Sequence, residues 1–238
     1  MVLGSTRLGA VAVLTLHRPQ VRNALSVELC RAIHAGVDEA IAAQARVIVI
    51  TGEGTAFCSG ADLNGVYGDD FQRALYGMLN RLVEVPVPII AAVNGPAIGG
   101  GTQLAIACDL RVVDASAQFG VPTVRNGLAV DGWTIRRLAD LAGGGMARRL
   151  MLAGEVVDAD AALQSGLADR RGTLIDALAW ADEIAELAPL SIAHSKRVFA
   201  GADDDTIAKS LVEVWASQDA REAATARAEK RPPRFQGR

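Results

Sequence analysis

The chain has 238 residues, half of them hydrophobic but only 4% aromatic, and a formal net charge of −3. That length can bury a substantial core, carried by Ala, Val, Leu and Gly. The weak negative charge argues against nucleic acid or a membrane surface as the default partner.

Arg7 followed by LGAVAVLTL has the look of a short signal-peptide core, but His17-Arg18-Pro19 stands where a small-residue cleavage site belongs. A strand over Val11–Leu16, ended by the proline turn, is the better reading. No apolar run approaches the ~20 residues of a membrane helix, so a soluble, cytoplasmic protein is expected. Ser26 can cap the next segment, where Leu29, Ile33, Val37 and Ile41 recur at i+4 on one helical face. RVIVITG then reads as a strand buried on both sides. Phe71, Leu75, Met78, Leu79 and Leu82 make a second helical stripe, stopped by Pro86 and Pro88. IIAAV is another buried strand, and Asp109–Val113 a short one. Met146–Leu152 is helical, Asp158 can cap a helix that Gly166 stops, and helices dominate from Leu174 onward. The basic tail KRPPRFQGR cannot continue a helix.

Strands alternate with helices through two thirds of the chain and helices close it, which predicts an α/β body over residues 1–188 and a helical C-terminal region over 189–238. The cysteines, Cys30, Cys58 and Cys108, are few and scattered, without disulfide or zinc spacing, and read as small buried apolar residues. No metal site is expected.

Two segments share one design of buried strand, glycine-rich turn and helix: VIVITGEGTAFCSGADL and PIIAAVNGPAIGGGTQLA. Such a helix entrance lets another group approach bare backbone N–H donors. Gly100 and Gln103 are three apart and share a helical face, so a ligand held by the Gly100 amide would meet the Gln103 side chain. Competing glycine motifs fail. Phe57 stands where a dinucleotide fingerprint needs its third glycine, no Gly-Lys-Ser/Thr exists, and Ser59 lacks the flanking glycine of a nucleophile elbow.

At these residues the chain resembles the crotonase, or enoyl-CoA hydratase/isomerase, superfamily. The matching segments are HRPQVRNAL (17–25), TGEGTAFCSGADL (51–63), AAVNGPAIGGGTQLA (91–105), FGVPTVRNGLAVDGWTIRRL (119–138), GEVVDADAALQSGLA (154–168) and the EKRPPRF tail. The resemblance implies a spiral of repeated ββα turns with a helical C-terminal region used for trimerisation, as a homotrimer or a hexamer. It implies a coenzyme A thioester as ligand, with no permanently bound cofactor. Ala61 and Gly100 then supply the oxyanion-hole N–H groups. Arg22, Ala24, Asp62, Leu63 and Asn64 match positions along the CoA arm, where Asn64 replaces a frequent lysine. Arg18, Lys230 and Arg234 are candidates for its phosphates. Phe71, Leu75, Met78 and Trp133 are candidates for the acyl wall.

Hydratases of the family use two glutamates, and Gln103 and Thr123 occupy those positions here. Neither side chain titrates usefully near neutrality. Asp131 falls where some relatives, dienoyl-CoA isomerases and a dehalogenase among them, place a catalytic aspartate. By its local sequence it can equally cap the helix that begins at Gly132. Glu53, Asp62 and Glu84 are poorer candidates. Two functions follow. One is a fatty acyl-CoA binder that carries or presents acyl thioesters to other lipid enzymes, with hydration impaired. The other is an isomerase or weak hydratase using Asp131 as proton shuttle.

Overall fold

The apolar run at 47–52 becomes a strand in which every residue is buried, and its alternation serves two cores at once. Ile48 and Ile50 face the main core with Leu14, Leu16 and Ile89. Val47 and Val49 face a second cluster with Val11, Val13, Ile90 and the helix residues Ala177, Ala181 and Ile184. A one-residue slip would exchange the two faces, so the register is firmly specified. Each such side chain contributes about 1.5–3 kcal/mol by burial.

The structure is a computed structural model, and it describes residues 1–62 and 68–238. In chain order the elements are β1 (Leu3–Leu8), β2 (Val11–Leu16), α1 (Val27–Ala42), β3 (Val47–Gly52), α2 (Asp69–Glu84), β4 (Ile89–Val93), β5 (Pro96–Ile98) and α3 (Gly100–Ala107). They continue with β6 (Leu110–Val113), β7 (Gln118–Gly120), α4 (Gly132–Leu152), β8 (Val156–Asp158), α5 (Ala159–Ser165), β9 (Arg170–Arg171), α6 (Leu174–Ala185), α7 (Pro189–Phe199), α8 (Asp204–Ala216) and α9 (Gln218–Glu229). Short 3-10 turns lie at Pro19–Val21 and Pro122–Arg125. The larger sheet runs β1-β2-β3-β4-β6-β9 and is parallel except for the β1–β2 hairpin. A smaller sheet runs β5-β7-β8. This is the α/β architecture expected, with β1 and the two- and three-residue strands added. Among the described residues no helix is long and apolar enough to cross a membrane, and no group of His, Cys, Asp or Glu is placed to hold a metal ion.

Capping residues set the helix starts. Ser26 accepts the Leu29 N–H at 3.2 Å and opens α1. Asp158 accepts the Ala161 N–H at 2.9 Å and opens α5, which Gly166 closes at φ 81°. The helix expected over 146–152 is the second half of α4, which starts fourteen residues earlier and breaks at Gly143 (φ 74°, ψ 154°). The GGG run hides that continuity from a periodicity reading.

Charged side chains tie the C-terminal helices to the body. Lys196 on α7 donates to Asp109 at 2.6 Å and to the Leu82 carbonyl at 3.3 Å. Arg46 donates to the carbonyls of Leu187 at 2.6 Å and Phe235 at 2.9 Å. Asp219 accepts the N–H groups of Gln236 and Gly237, each at 2.7 Å, and straps the tail to the start of α9. The boundary expected near Pro189 lies between two helices, α6 and α7, and these hydrogen bonds tie the residues beyond it to the body.

All three cysteines are buried, and burial pushes each thiol from its ordinary value of 9.0 up to about 12. The folded state thus holds them protonated while the unfolded chain ionises them near 9. Their contribution to stability is complete below about pH 9 and is lost as pH rises toward 12. Native protein at pH 8 is expected to resist iodoacetamide at all three positions, with labelling appearing only on unfolding, as mass spectrometry would show.

Candidate functional site

Two glycine turns meet at the end of β3 and the start of α3. The segment 58–62 lies between its neighbours like a short strand. Cys58 N–H donates to Pro96 O at 3.1 Å, and Ile98 N–H returns to Cys58 O at 2.9 Å. On the other side, Leu25 N–H donates to Gly60 O at 2.7 Å, and Asp62 N–H donates to Leu25 O at 2.8 Å. Successive amides of an extended chain point to opposite sides, so the Ala61 N–H is turned away from Leu25.

The glycines of α3 bring its first turn against this segment. Gly99 sits at φ 55°, a conformation L side chains avoid, and donates to Gly120 O at 2.7 Å. A Cβ on Gly101 would stand 2.0 Å from Cys58 O, so only glycine permits the approach. A Cβ on Gly100 would lie 3.6 Å from Ala61 N, so the two residues are in contact across the turn. Gly100 N–H is one of the first-turn donors with no partner inside its helix. Among the described residues neither it nor Ala61 N–H has a protein acceptor. The positive end of α3 reinforces both donors.

These amides open on a cavity of about 610 Å³. Ala24, Ala61, Asp62 and Gly100 line one end, Phe71, Leu75 and Tyr76 of α2 form an apolar wall, and Gln103 and Thr123 complete it. Asp62 is the one carboxylate among the described lining residues, and it is paired with Arg18 at 3.1 Å. Arg18 also donates to Ala24 O at 2.5 Å. The guanidinium expected to meet a phosphate is thus committed to holding the Asp62 turn. Arg22 does not line the cavity, but its carbonyl accepts the N–H of the lining residue Ser59 at 2.9 Å. Leu63 and Asn64 fall outside the described residues. Lys230 and Arg234 are exposed near the C-terminus, and neither lines the cavity.

Two residues expected in the acyl wall stand elsewhere. Met78 is fully buried in the core with Leu79 and Leu82 and does not line the cavity. Trp133 borders a separate small crevice with Val83, Arg136 and Arg137.

Gln103 is only 3% exposed and heads a linear chain of hydrogen bonds. Its Nε2 donates to Thr134 Oγ1 at 2.9 Å, and Thr134 Oγ1 donates to Asp131 Oδ1 at 2.5 Å. Asp131 Oδ2 accepts the N–H groups of Trp133 at 3.1 Å and Thr134 at 3.3 Å. Asp131 is therefore the N-cap of α4, and its carboxylate stands one residue removed from the cavity.

A family model described as enoyl-CoA hydratase/isomerase matches residues 6–238. The chain belongs to the enoyl-CoA hydratase/isomerase family. Family members similar to it include the probable enoyl-CoA hydratase echA6 of Mycobacterium tuberculosis, 47% identical over 99% of this chain and 100% of that one. A putative enoyl-CoA hydratase of Thermus thermophilus is 35% identical over 95% of this chain and 98% of its own length. Among solved structures, a putative enoyl-CoA hydratase/isomerase family protein from Hyphomonas neptunium superposes with a TM-score of 0.92 at 31% identity, covering 100% of this chain and 98% of its own.

This family member carries three site residues that its sequence did not announce. Asn23 is fully buried at φ 56°. Its Nδ2 donates to Glu53 O at 2.9 Å and Ala56 O at 2.8 Å, while Oδ1 accepts the Arg18 N–H at 2.9 Å. It pins the first glycine turn to the loop before α1. Asn23→Ala is expected to cost about 2–4 kcal/mol in urea unfolding, because buried backbone groups lose their partners. Thr134 links Gln103 to Asp131 as described. Tyr76 leans on both: burial first, and then the Asp131 charge, raise its pKa, while Asp131's backbone and the Gln103 amide partly offset them. The phenol stays protonated at neutral pH. Tyr76 was masked in sequence by lying between positions of the α2 core stripe.

Proposed function

We propose that the protein binds fatty acyl-CoA thioesters with their carbonyl oxygen between the Ala61 and Gly100 amides, and that its hydration chemistry is impaired. The observation that carries this reading is the pairing of two unengaged backbone donors with a cavity whose one carboxylate among the described lining residues, Asp62, is held by Arg18. Paired donors of this kind polarise a thioester carbonyl and stabilise an enolate by about 3 kcal/mol each. From that oxygen the acyl chain runs along α3. Gln103, about one helical turn on, then faces C3 of the chain. An amide can orient water but cannot take its proton, and the Thr123 hydroxyl is no better a base. A positioned acid or base usually contributes ~100- to 10,000-fold. Asp62 is neutralised by Arg18, and Asp131 has its carboxylate engaged by three donors. That engagement supports a capping role for Asp131 over the proton shuttle an isomerase would need.

Phe71, Leu75 and Tyr76 suit an apolar chain, and Arg22 and Ala24 border the path of the CoA arm. A carrier or presenting role in lipid metabolism, in the cytoplasm and as a trimer or hexamer, accords with this reading. The test is calorimetric titration with saturated and trans-2-enoyl-CoAs, alongside a hydration assay. Binding with turnover below ~0.1 s⁻¹ is expected, and turnover near the ordinary enzyme median of ~10 s⁻¹ would defeat the reading.

A further inference from the structure

A second cavity, of about 650 Å³, lies where α6 and α7 meet α4, and it shares no lining residue with the cavity at Gly100. Its size falls within the ~300–1,000 Å³ usual for small-molecule sites. Leu110, Leu141, Trp180, Ile184 and Ile192 make an apolar wall. Arg170 stacks over the Trp180 ring at 3.9 Å and steadies the indole. Asp109, Arg137, Lys196 and Phe199 line both this groove and the crevice of about 180 Å³ beside Trp133, so the two spaces abut at a charged neck. Within the neck, Lys196 and Asp109 satisfy each other at 2.6 Å, and Asp109 Oδ2 also accepts the Ile89 N–H at 2.7 Å. Arg137 is left over. It is half-buried, and its Nε donates to Ile106 O at 3.2 Å. Among the described residues its Nη1 and Nη2 groups have no acceptor, and Asp140 across the crevice pairs with neither Arg136 nor Arg137. A guanidinium drawn partly out of water is best met by a planar anion that takes two parallel N–H bonds.

We propose that this groove is a second ligand site, for an unesterified fatty carboxylate, whose head pairs with Arg137 at the neck and whose chain lies along the apolar wall of α6 and α7. The charge at the neck selects the head. Arg136, Arg137 and Lys196 stand against Asp109 and Asp140, a balance of one positive charge that suits a singly charged anion. A phosphate monoester or a CoA moiety would set further negative charge against the two aspartates, and a cationic head would meet the guanidinium. An alcohol of the same length would bury as much chain and leave Arg137 without its partner. Because the two cavities have no wall in common, the inference stands apart from the acyl-CoA reading.

The test titrates the full-length protein calorimetrically with decanoate, decanol and decyltrimethylammonium, below their micellar concentrations. Decanoate is expected to fill one saturable site about tenfold more tightly than decanol, with the ammonium weaker than both. Arg137→Leu should bring the decanoate to decanol affinity ratio to one. The ratio is the readout because a loosened fold lowers both affinities alike. Ser195 is exposed on α7 and also lines the groove, so Ser195→Trp fills the groove without entering the core. It should weaken decanoate and decanol together by at least about tenfold. Decanoate brominated at its far end should quench Trp180 by contact, and Trp180→Phe should remove that quenching. Equal affinity for the three heads, an unchanged ratio in Arg137→Leu or unchanged binding in Ser195→Trp would overturn the inference. So would displacement of decanoate by a saturated acyl-CoA, which would put it in the other cavity. Absence of uptake by the wild type, as when a second copy of the chain fills the groove, would overturn it as well.

Discussion

Gly100→Pro should weaken the binding of a saturated acyl-CoA by at least about tenfold while the protein remains folded, because it deletes one of two hydrogen bonds to a desolvated carbonyl. The position spares the helix, while the ring's Cδ also takes the space the N–H faced. Gly100 is the first residue of α3, where a missing N–H leaves no helical bond broken and proline is readily accepted. The nearest atom to an added Cβ is Leu25 Cδ1 at 3.1 Å, the end of a flexible side chain that can yield by a few tenths of an ångström. Gly101→Ala is a different experiment. There the added carbon would meet backbone oxygen at 2.0 Å, so the outcome is loss of the fold around the site. Thermal unfolding followed beside the titration separates the two. Unchanged affinity in a folded Gly100→Pro protein would remove that amide from the site.

The larger effect is expected in the opposite direction. If Gln103 and Thr123 limit hydration, the double replacement Gln103→Glu and Thr123→Glu should raise hydration of a trans-2-enoyl-CoA by at least ~100-fold over the wild type. Either single replacement should give far less, since one step lacks its acid or its base. A glutamate at 103 would be buried and close to the Asp131 carboxylate, and both conditions raise its pKa. A carboxylate whose pKa is moved toward neutrality is the better general base at physiological pH. The rate is read from the loss of enoyl-thioester absorbance. A double variant no faster than the wild type would show that something other than these two neutral side chains suppresses the chemistry.

Legibility in the sequence followed the range of the interaction. β3 and β4 were readable because a strand buried on both faces is a plain apolar run, and both of their faces are filled. The starts of α1 and α5 were readable because Ser26 and Asp158 act on amides three residues away. β1 was not, since LGSTRL is polar and mostly exposed and holds its place only by pairing with β2. β5, β7, β8 and β9, with two or three residues each, are too short to show any period. At the site, the glycine turns spoke locally and pointed to Ala61 and Gly100. What they could not convey was assembly over distance. Arg18 reaches Asp62 across 44 residues, and Gln103 reaches Thr134 across 31. Asn23 joins the loop before α1 to Glu53 and Ala56. Met78 and Trp133 were apolar enough for a ligand wall, but the turn of their helices decides which wall they join.

The most direct test of the account is carbon-13 NMR of a saturated acyl-CoA labelled at its thioester carbonyl. Bound between two backbone donors, that carbon should move downfield of its position in water. The shift should shrink in Gly100→Pro, and an enoyl analogue bound in the same way should persist for hours unhydrated. A carbonyl resonance unmoved on binding, or rapid conversion of the bound enoyl thioester by the wild-type protein, would contradict it.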